Sequence, residues 1–221
     1  MSAYFADRAE AGRLLARRLA EYTTRPDVVV LGLPRGGVAV AFEIGQVLRA
    51  PLDVLLVRKL GVPEHEELAF GAIASGGVRI LDPDIIEAFA LSPGAIDRVI
   101  AKEQSEMDRR ETAIRAGRPP IPVQGHTVIL VDDGIATGST MRAAISAARR
   151  LGAARIVVAA GVAPLSTSLV LSSEADEVVC PFTPREFRSV SLFYENFPQL
   201  TDDDVRDFLH RASPRGTTRA S

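Results

Sequence analysis

The stretch "VILVDDGIATGST", residues 128–140, decides how this chain folds. Four apolar residues run into two adjacent carboxylates, Asp132 and Asp133, and those into a Gly/Thr/Ser turn with a good helix beyond it. A short apolar run of this kind reads as a strand buried on both faces, and a strand that turns into a helix reads as one half of a βαβ unit. Like charges this close repel. Asp132 and Asp133 therefore either terminate the strand and form a turn, or they hold something.

The neighbouring sequence repeats the pattern. "DVVVLGL" is a β-branched run that ends in Pro34-Arg35-Gly36-Gly37, a helix follows through "VAVAFEIGQVLRA", and the strand "LDVLLV" runs on into Arg58-Lys59-Leu60-Gly61. Strand, helix and strand in this order predict a right-handed crossover on a parallel sheet. After Thr140 come the helix "STMRAAISAARRLG", the strand "RIVVAAGV", a short helix near "STSLVLS" and the strand "EVVC". The expected fold is α/β: a parallel sheet flanked by helices.

Other segments add to this core. An N-terminal helix runs from a cap at Asp7 to Tyr22, and "GVPEHEELAFGAIASGGVRIL" reads as a loop and a hairpin. Residues 82–120 read as a helical insertion, a short helix capped by Asp82 and a long one capped by Ser92, each with proline at its first position. The long helix carries a thin apolar stripe, Ile96, Val99, Ile100, Met107 and Ile114, expected to lie on the sheet and to hint at a homodimer contact. The aromatic segment "CPFTPREFRSVSLFYENF" and a short helix opened by Asp202-Asp203-Asp204 follow the last strand. The expectation is one domain over residues 1–213 and a disordered tail over residues 214–221.

Composition narrows the function. The 221 residues are 47% hydrophobic and 24% charged, ordinary for a globular chain able to bury a full core. A net charge of -2, with no long Lys/Arg block, gives no case for nucleic acid, so the expected partners are small molecules. One cysteine, Cys180, excludes an intrachain disulfide framework, and no apolar run reaches the roughly 18 residues of a membrane span. A cytoplasmic protein without membrane or nucleic-acid partners is expected.

In an open parallel sheet, ligands gather where strands enter helices at their carboxyl ends. Three such places carry unusual residues here. Ala136, Thr137, Gly138, Ser139 and Thr140 would direct backbone N–H groups, hydroxyls and a helix N-terminus at one phosphate monoester. Asp132 and Asp133, just upstream, suit neutral hydroxyls or a bridging divalent cation. Arg35 in its Gly36-Gly37 turn, with Arg58 and Lys59, could hold a second anion such as pyrophosphate. A phosphate, a diol and a diphosphate in that order describe 5-phosphoribosyl 1-diphosphate.

At these positions the chain resembles the phosphoribosyltransferases of the type I fold. Residues 128–140 are similar to that family's binding signature, Pro34-Arg35-Gly36-Gly37 to its first pyrophosphate loop, and Arg58-Lys59 with the segment to Ala74 to its pyrophosphate-contacting strand end and mobile loop. The resemblance implies Mg²⁺-assisted transfer of the phosphoribosyl group to a nitrogen acceptor with release of pyrophosphate. Asp132 and Asp133 would bind the ribose hydroxyls and meet the metal indirectly, residues 136–140 would wrap the 5'-phosphate, and residues 181–210, with the N-terminal helix contributing, would form a small C-terminal hood over the base. Arg35, Gly36, Gly37, Arg58 and Lys59 would meet the pyrophosphate, with Arg58, Lys59, Asp132 and Asp133 carrying catalysis and residues 64–71 serving as lid. One position departs from the pattern. Members acting on 6-oxopurines usually place an aspartate directly before Thr-Gly, where this chain has Ala136. That leaves other bases open, and with them a sensor that binds phosphoribosyl diphosphate or a nucleotide without turnover and regulates a partner.

Overall fold

The computed structural model of the chain describes residues 4–212; the expected tail lies outside them. The described part begins with α1 (Arg8–Arg18), where the Asp7 side chain accepts from Glu10 N–H at 2.8 Å. A 3-10 turn, Ala20–Tyr22, ends this segment. Next come β1 (Val28–Gly32), α2 (Gly36–Leu48) and β2 (Leu52–Val54). Later in the chain β6 (Thr127–Asp132), α5 (Ser139–Arg150), β7 (Arg155–Ala160), α6 (Leu165–Glu174) and β8 (Glu177–Val179) alternate, and α7 (Asp202–Ala212) closes the described residues.

Five strands form one parallel sheet in the order β2-β1-β6-β7-β8. β1 and β6 are central, and the alternation of their side chains builds two cores. Val28, Val30, Ile129 and Val131 face α1, α2 and α7, while Val29, Leu31, Val128 and Leu130 face α5 and α6. Because both faces are covered, the strands read as unbroken apolar runs. The strand order reverses between β1 and β6, the switch point where such sheets open a crevice for ligand.

Between β2 and β6 the chain departs from the sequence reading. Leu55 and Leu56 leave the parallel sheet, and β3 (Val57–Val62), β4 (His65–Ala74) and β5 (Val78–Leu81) form a separate antiparallel sheet. Leu56 N–H donates to Ser75 Oγ at 3.1 Å and Leu56 O accepts from Ser75 N–H at 3.0 Å, which turns the chain at that point. Arg58, Lys59, Leu60 and Gly61 are thus strand residues rather than a strand-end loop. The expected lid loop is, from His65 to Gly71, one arm of a twisted ribbon with register breaks at Gly61. An apolar run that continues from one sheet into another gives no local mark of the break.

The insertion contains α3 (Pro83–Ala88) and α4 (Pro93–Arg115), with Asp82 and Ser92 accepting cap hydrogen bonds. The apolar stripe of α4 is turned inward: Ile100, Met107 and Ile114 are buried against β3 and α7 within the chain's own core. Ion pairs fix the helix at three sites, Arg58–Glu103, Arg110–Asp202 and the buried Arg115–Asp53. Among the described residues, no helix is long and apolar enough to cross a membrane.

Cys180, just past β8, is half-buried, and burial pushes its thiol up to about 11. Its thiolate is the reactive species. Alkylation by iodoacetamide at pH 8 is expected to run roughly a hundredfold slower than for an exposed cysteine, followed by mass spectrometry.

Candidate active site

The loops leaving β1 and β6 face one another across the switch point. Leu33 N–H donates to Val131 O at 2.8 Å, which holds the start of the first loop against the second strand. The Pro34–Arg35 peptide is cis, and α2 begins at Gly36. A Cβ at position 36 would overlap the Asp133 carboxylate, and one at position 37 would overlap Val131 O. Both glycines therefore permit an approach that no other residue allows, and they bring the loop against the acid pair. Arg35 is exposed, with no ion pair among the described residues.

The two carboxylates have different surroundings. Asp133 is 8% exposed; its Oδ2 accepts from Arg8 Nε at 2.8 Å, and its carbonyl accepts from Tyr194 Oη at 2.5 Å. Asp132 Oδ1 accepts from Asp133 N–H at 2.9 Å, and its carboxylate has no ion pair among the described residues. Burial, and then the charge of Asp133, raise the Asp132 carboxyl well above the usual carboxylate range. Asp133 is held in place by Arg8, whereas the Asp132 carboxylate has only the Asp133 N–H as a hydrogen-bond partner among the described residues.

Beyond them Gly138 adopts φ +80° and starts α5 without a side-chain cap. The first N–H groups of α5 thus stay available to an anion, and the helix dipole favours one there. Thr137 Oγ1 and Ser139 Oγ lie 2.8 Å apart, and Ala136, Thr137 and Thr140 are exposed. The turn is braced from α6, where Thr167 Oγ1 donates to Ala136 O at 2.9 Å.

The pleat of β3 separates the two remaining basic candidates. Arg58 lies on the face that packs on α4, bonded by Nε to Glu103 Oε2 at 2.6 Å. Lys59 lies on the opposite face, in a groove of about 660 Å³ that also reaches Ser139 and Arg142 of α5. They do not meet at one point. Arg8, Tyr194 and Thr167, by contrast, reach this region without any mark in the sequence, because their partners are 125, 61 and 31 residues away.

An α/β sheet with helices on both faces carries an uncapped helix start, a carboxylate without an ion pair and a glycine loop at its switch point, the place where sheets of this class take their ligands. The chain belongs to the phosphoribosyl transferase domain family, whose profile matches residues 3–182. It is 50% identical over 208 residues, 94% of this chain, to the "Putative phosphoribosyl transferase Rv0571c" of Mycobacterium tuberculosis. That alignment takes in 47% of the relative, so the chain spans about half the length of the curated relatives it matches. The "Bifunctional protein PyrR" of Chloroflexus aurantiacus is 34% identical over 120 residues, 53% of this chain and 60% of that protein. Among solved structures, TT1426 from Thermus thermophilus superposes with a TM-score of 0.85 at 40% identity, covering 95% of this chain and 99% of that one.

Proposed function

We infer that the chain transfers the 5-phosphoribosyl group of phosphoribosyl diphosphate to a nitrogen nucleophile, a nucleobase or related heterocycle, and releases pyrophosphate. One observation carries this reading: the uncapped start of α5, the Asp132 carboxylate without an ion pair among the described residues and the Arg35-Gly36-Gly37 loop converge at the switch point. The family of the chain and the name of its mycobacterial relatives support the class of reaction.

In this reading residues 136–140 take the 5'-phosphate through the α5 N–H groups and the hydroxyls of Thr137, Ser139 and Thr140. Asp132 accepts from the ribose hydroxyls, with Asp133 behind it. The diphosphate lies along Arg35, Gly36 and Gly37, Lys59 reaches towards it from the ribbon, and Arg58 holds the ribbon to α4 through Glu103. The acceptor nitrogen donates its pair to C1 as the C1–O bond breaks, the bonding electrons leave with the diphosphate, and the acceptor's proton passes to solvent. Positive charge then builds on the ribose ring, beside Asp132, and negative charge on the leaving group, beside Arg35. Positioning and charge placed where it develops supply most of the acceleration. The β3–β4 ribbon is the lid that excludes competing water, and residues 182–197 with the N-terminal segment form the hood over the acceptor.

Among the described residues no three His, Cys, Asp or Glu side chains are grouped to hold a metal ion. The donor set instead fits a cation that arrives on the ligand's own oxygens, with Asp132 facing it through water or hydroxyl, since Mg²⁺ keeps several waters when it binds. Bound there, Mg²⁺ would neutralise charge on the leaving diphosphate.

The test is pyrophosphate release from phosphoribosyl diphosphate and Mg²⁺ across a panel of bases. Turnover with at least one base is expected. Hypoxanthine and guanine should be poor acceptors, because Ala136 offers no carboxylate to handle a proton of the base. The same residue favours a second reading, a non-catalytic sensor of phosphoribosyl diphosphate or a nucleotide. Tight binding without turnover on any base, together with a recovered protein partner, would select it.

A further inference from the structure

The N-terminal end of the described chain and the segment that precedes α7 close together on the acid pair. Tyr4 and Phe5 N–H donate to Phe193 O, each at 3.1 Å, and Glu195 and Asn196 N–H donate to Phe5 O and Ala6 O, each at 2.9 Å. The Tyr4 ring stacks on Phe182 and Phe193 with centroids 4.4 and 5.3 Å away. Residues 4–6 and 193–196 therefore form one clasp, and Arg8 is the first helical residue after it.

Arg8 makes three contacts at once. Its Nε donates to Asp133 Oδ2 and its Nη1 to Pro198 O, both at 2.8 Å, while its guanidinium carbon sits 3.7 Å from the Phe197 ring centroid. Asp133 in turn lies against the Gly36 backbone so closely that a Cβ there would overlap the carboxylate. A line of direct contact thus runs from the clasp, through Arg8 and Asp133, to the loop of residues 34–37. Tyr194 completes it from the other side by donating to the Asp133 carbonyl.

We propose that Arg8 is a positioning residue for phosphoribosyl diphosphate: it locks Asp133 against Gly36, so that the glycine loop and the Asp132 carboxylate are in register only when the two segments are clasped. The inference rests on the reading of this site as a phosphoribosyl diphosphate site. It assigns Asp133 to the scaffold that aims the ligand contacts and leaves Asp132 as the acid that meets the ribose. It also makes the hood and the sugar site interdependent, because Arg8 bonds to both.

A guanidinium can satisfy Asp133, Pro198 and the Phe197 face together, whereas an ammonium is a point donor without a planar face. Arg8→Lys keeps the charge and loses the geometry. The double variant Arg8→Met/Asp133→Asn removes both charges and leaves neither buried without a partner. Each protein is titrated calorimetrically with phosphoribosyl diphosphate and Mg²⁺ well below its melting temperature, with circular dichroism to establish that it is folded. Both folded variants are expected to bind about tenfold or more weakly than wild type, the scale of a small misplacement of ligand contacts. Wild-type Kd in either folded variant overturns the proposal, since a residue that only stabilises the fold would not alter affinity in molecules that are folded. Failure of the wild-type protein itself to bind overturns the reading of the site, and that arm separates the two failures.

Discussion

Gly138→Val is expected to abolish phosphoribosyl diphosphate binding while leaving the sheet intact. Gly138 sits at φ +80°, and a Cβ there would stand 2.8 Å from Thr167 Cγ2. A β-branched residue in the left-handed region is a genuine outlier, costing about 1–2 kcal/mol before any clash. Relief requires either the turn to abandon its conformation or α6 to withdraw, and both misdirect the N–H groups of the first turn of α5. Because an anion site built from backbone works only when its donors converge, binding should be lost rather than merely weakened. Calorimetric titration reads the loss and circular dichroism the retained fold. Gly77→Ala is the control: Gly77 also has positive φ, but nothing lies within 4 Å of a Cβ there. It should bear the backbone strain and bind normally. Retained affinity in Gly138→Val would place the phosphate elsewhere.

The second large effect is on stability. Arg8→Ala should lower the unfolding free energy by about 3–5 kcal/mol, the usual range for breaking a buried ion pair from one side. The Arg8 and Asp133 side chains are only 10% and 12% exposed, so solvent cannot replace the lost partner. The remaining carboxylate would lie buried beside Asp132, another acid already short of compensation. Urea denaturation measures the drop. Arg109→Ala, which removes an exposed pair with Glu106 on α4, should produce no measurable change. A small loss for Arg8→Ala would mean that the structure relaxes around Asp133 and that the line of contact to Gly36 is soft.

These two variants mark how far the sequence could be read. The turn at Gly138 is legible because every part of it is contiguous: strand, acids, glycine and helix follow one another within residues 128–140. The role of Arg8 is illegible for the opposite reason, as its partners at Asp133 and Pro198 are 125 and 190 residues distant. Arg58 and Lys59 show an intermediate case. Their proximity in the chain suggests joint action, but the two-residue period of β3 turns them to opposite faces, one to Glu103 and the other to the groove beside α5. The stripe on α4 misleads similarly. Its spacing reports a face that must be covered, and only packing reveals that β3 and α7 of the same chain cover it.

Local chemistry and periodicity were enough for the parallel α/β core, the capped helices of the insertion and the turn that opens α5, because hydrophobic period, helix caps and glycine turns act between residues close in the chain. The tertiary structure alone decided that the chain leaves the first sheet at Leu55 and Leu56, that the ribbon stands where a loop was expected, and that Asp133 pairs with Arg8 while Asp132 has no ion pair among the described residues. Each of these depends on a partner brought in by packing, Ser75 for Leu56, Arg8 for Asp133 and Gly36 for the carboxylate beside it. Two adjacent aspartates are alike in sequence; packing against different neighbours gives them different surroundings.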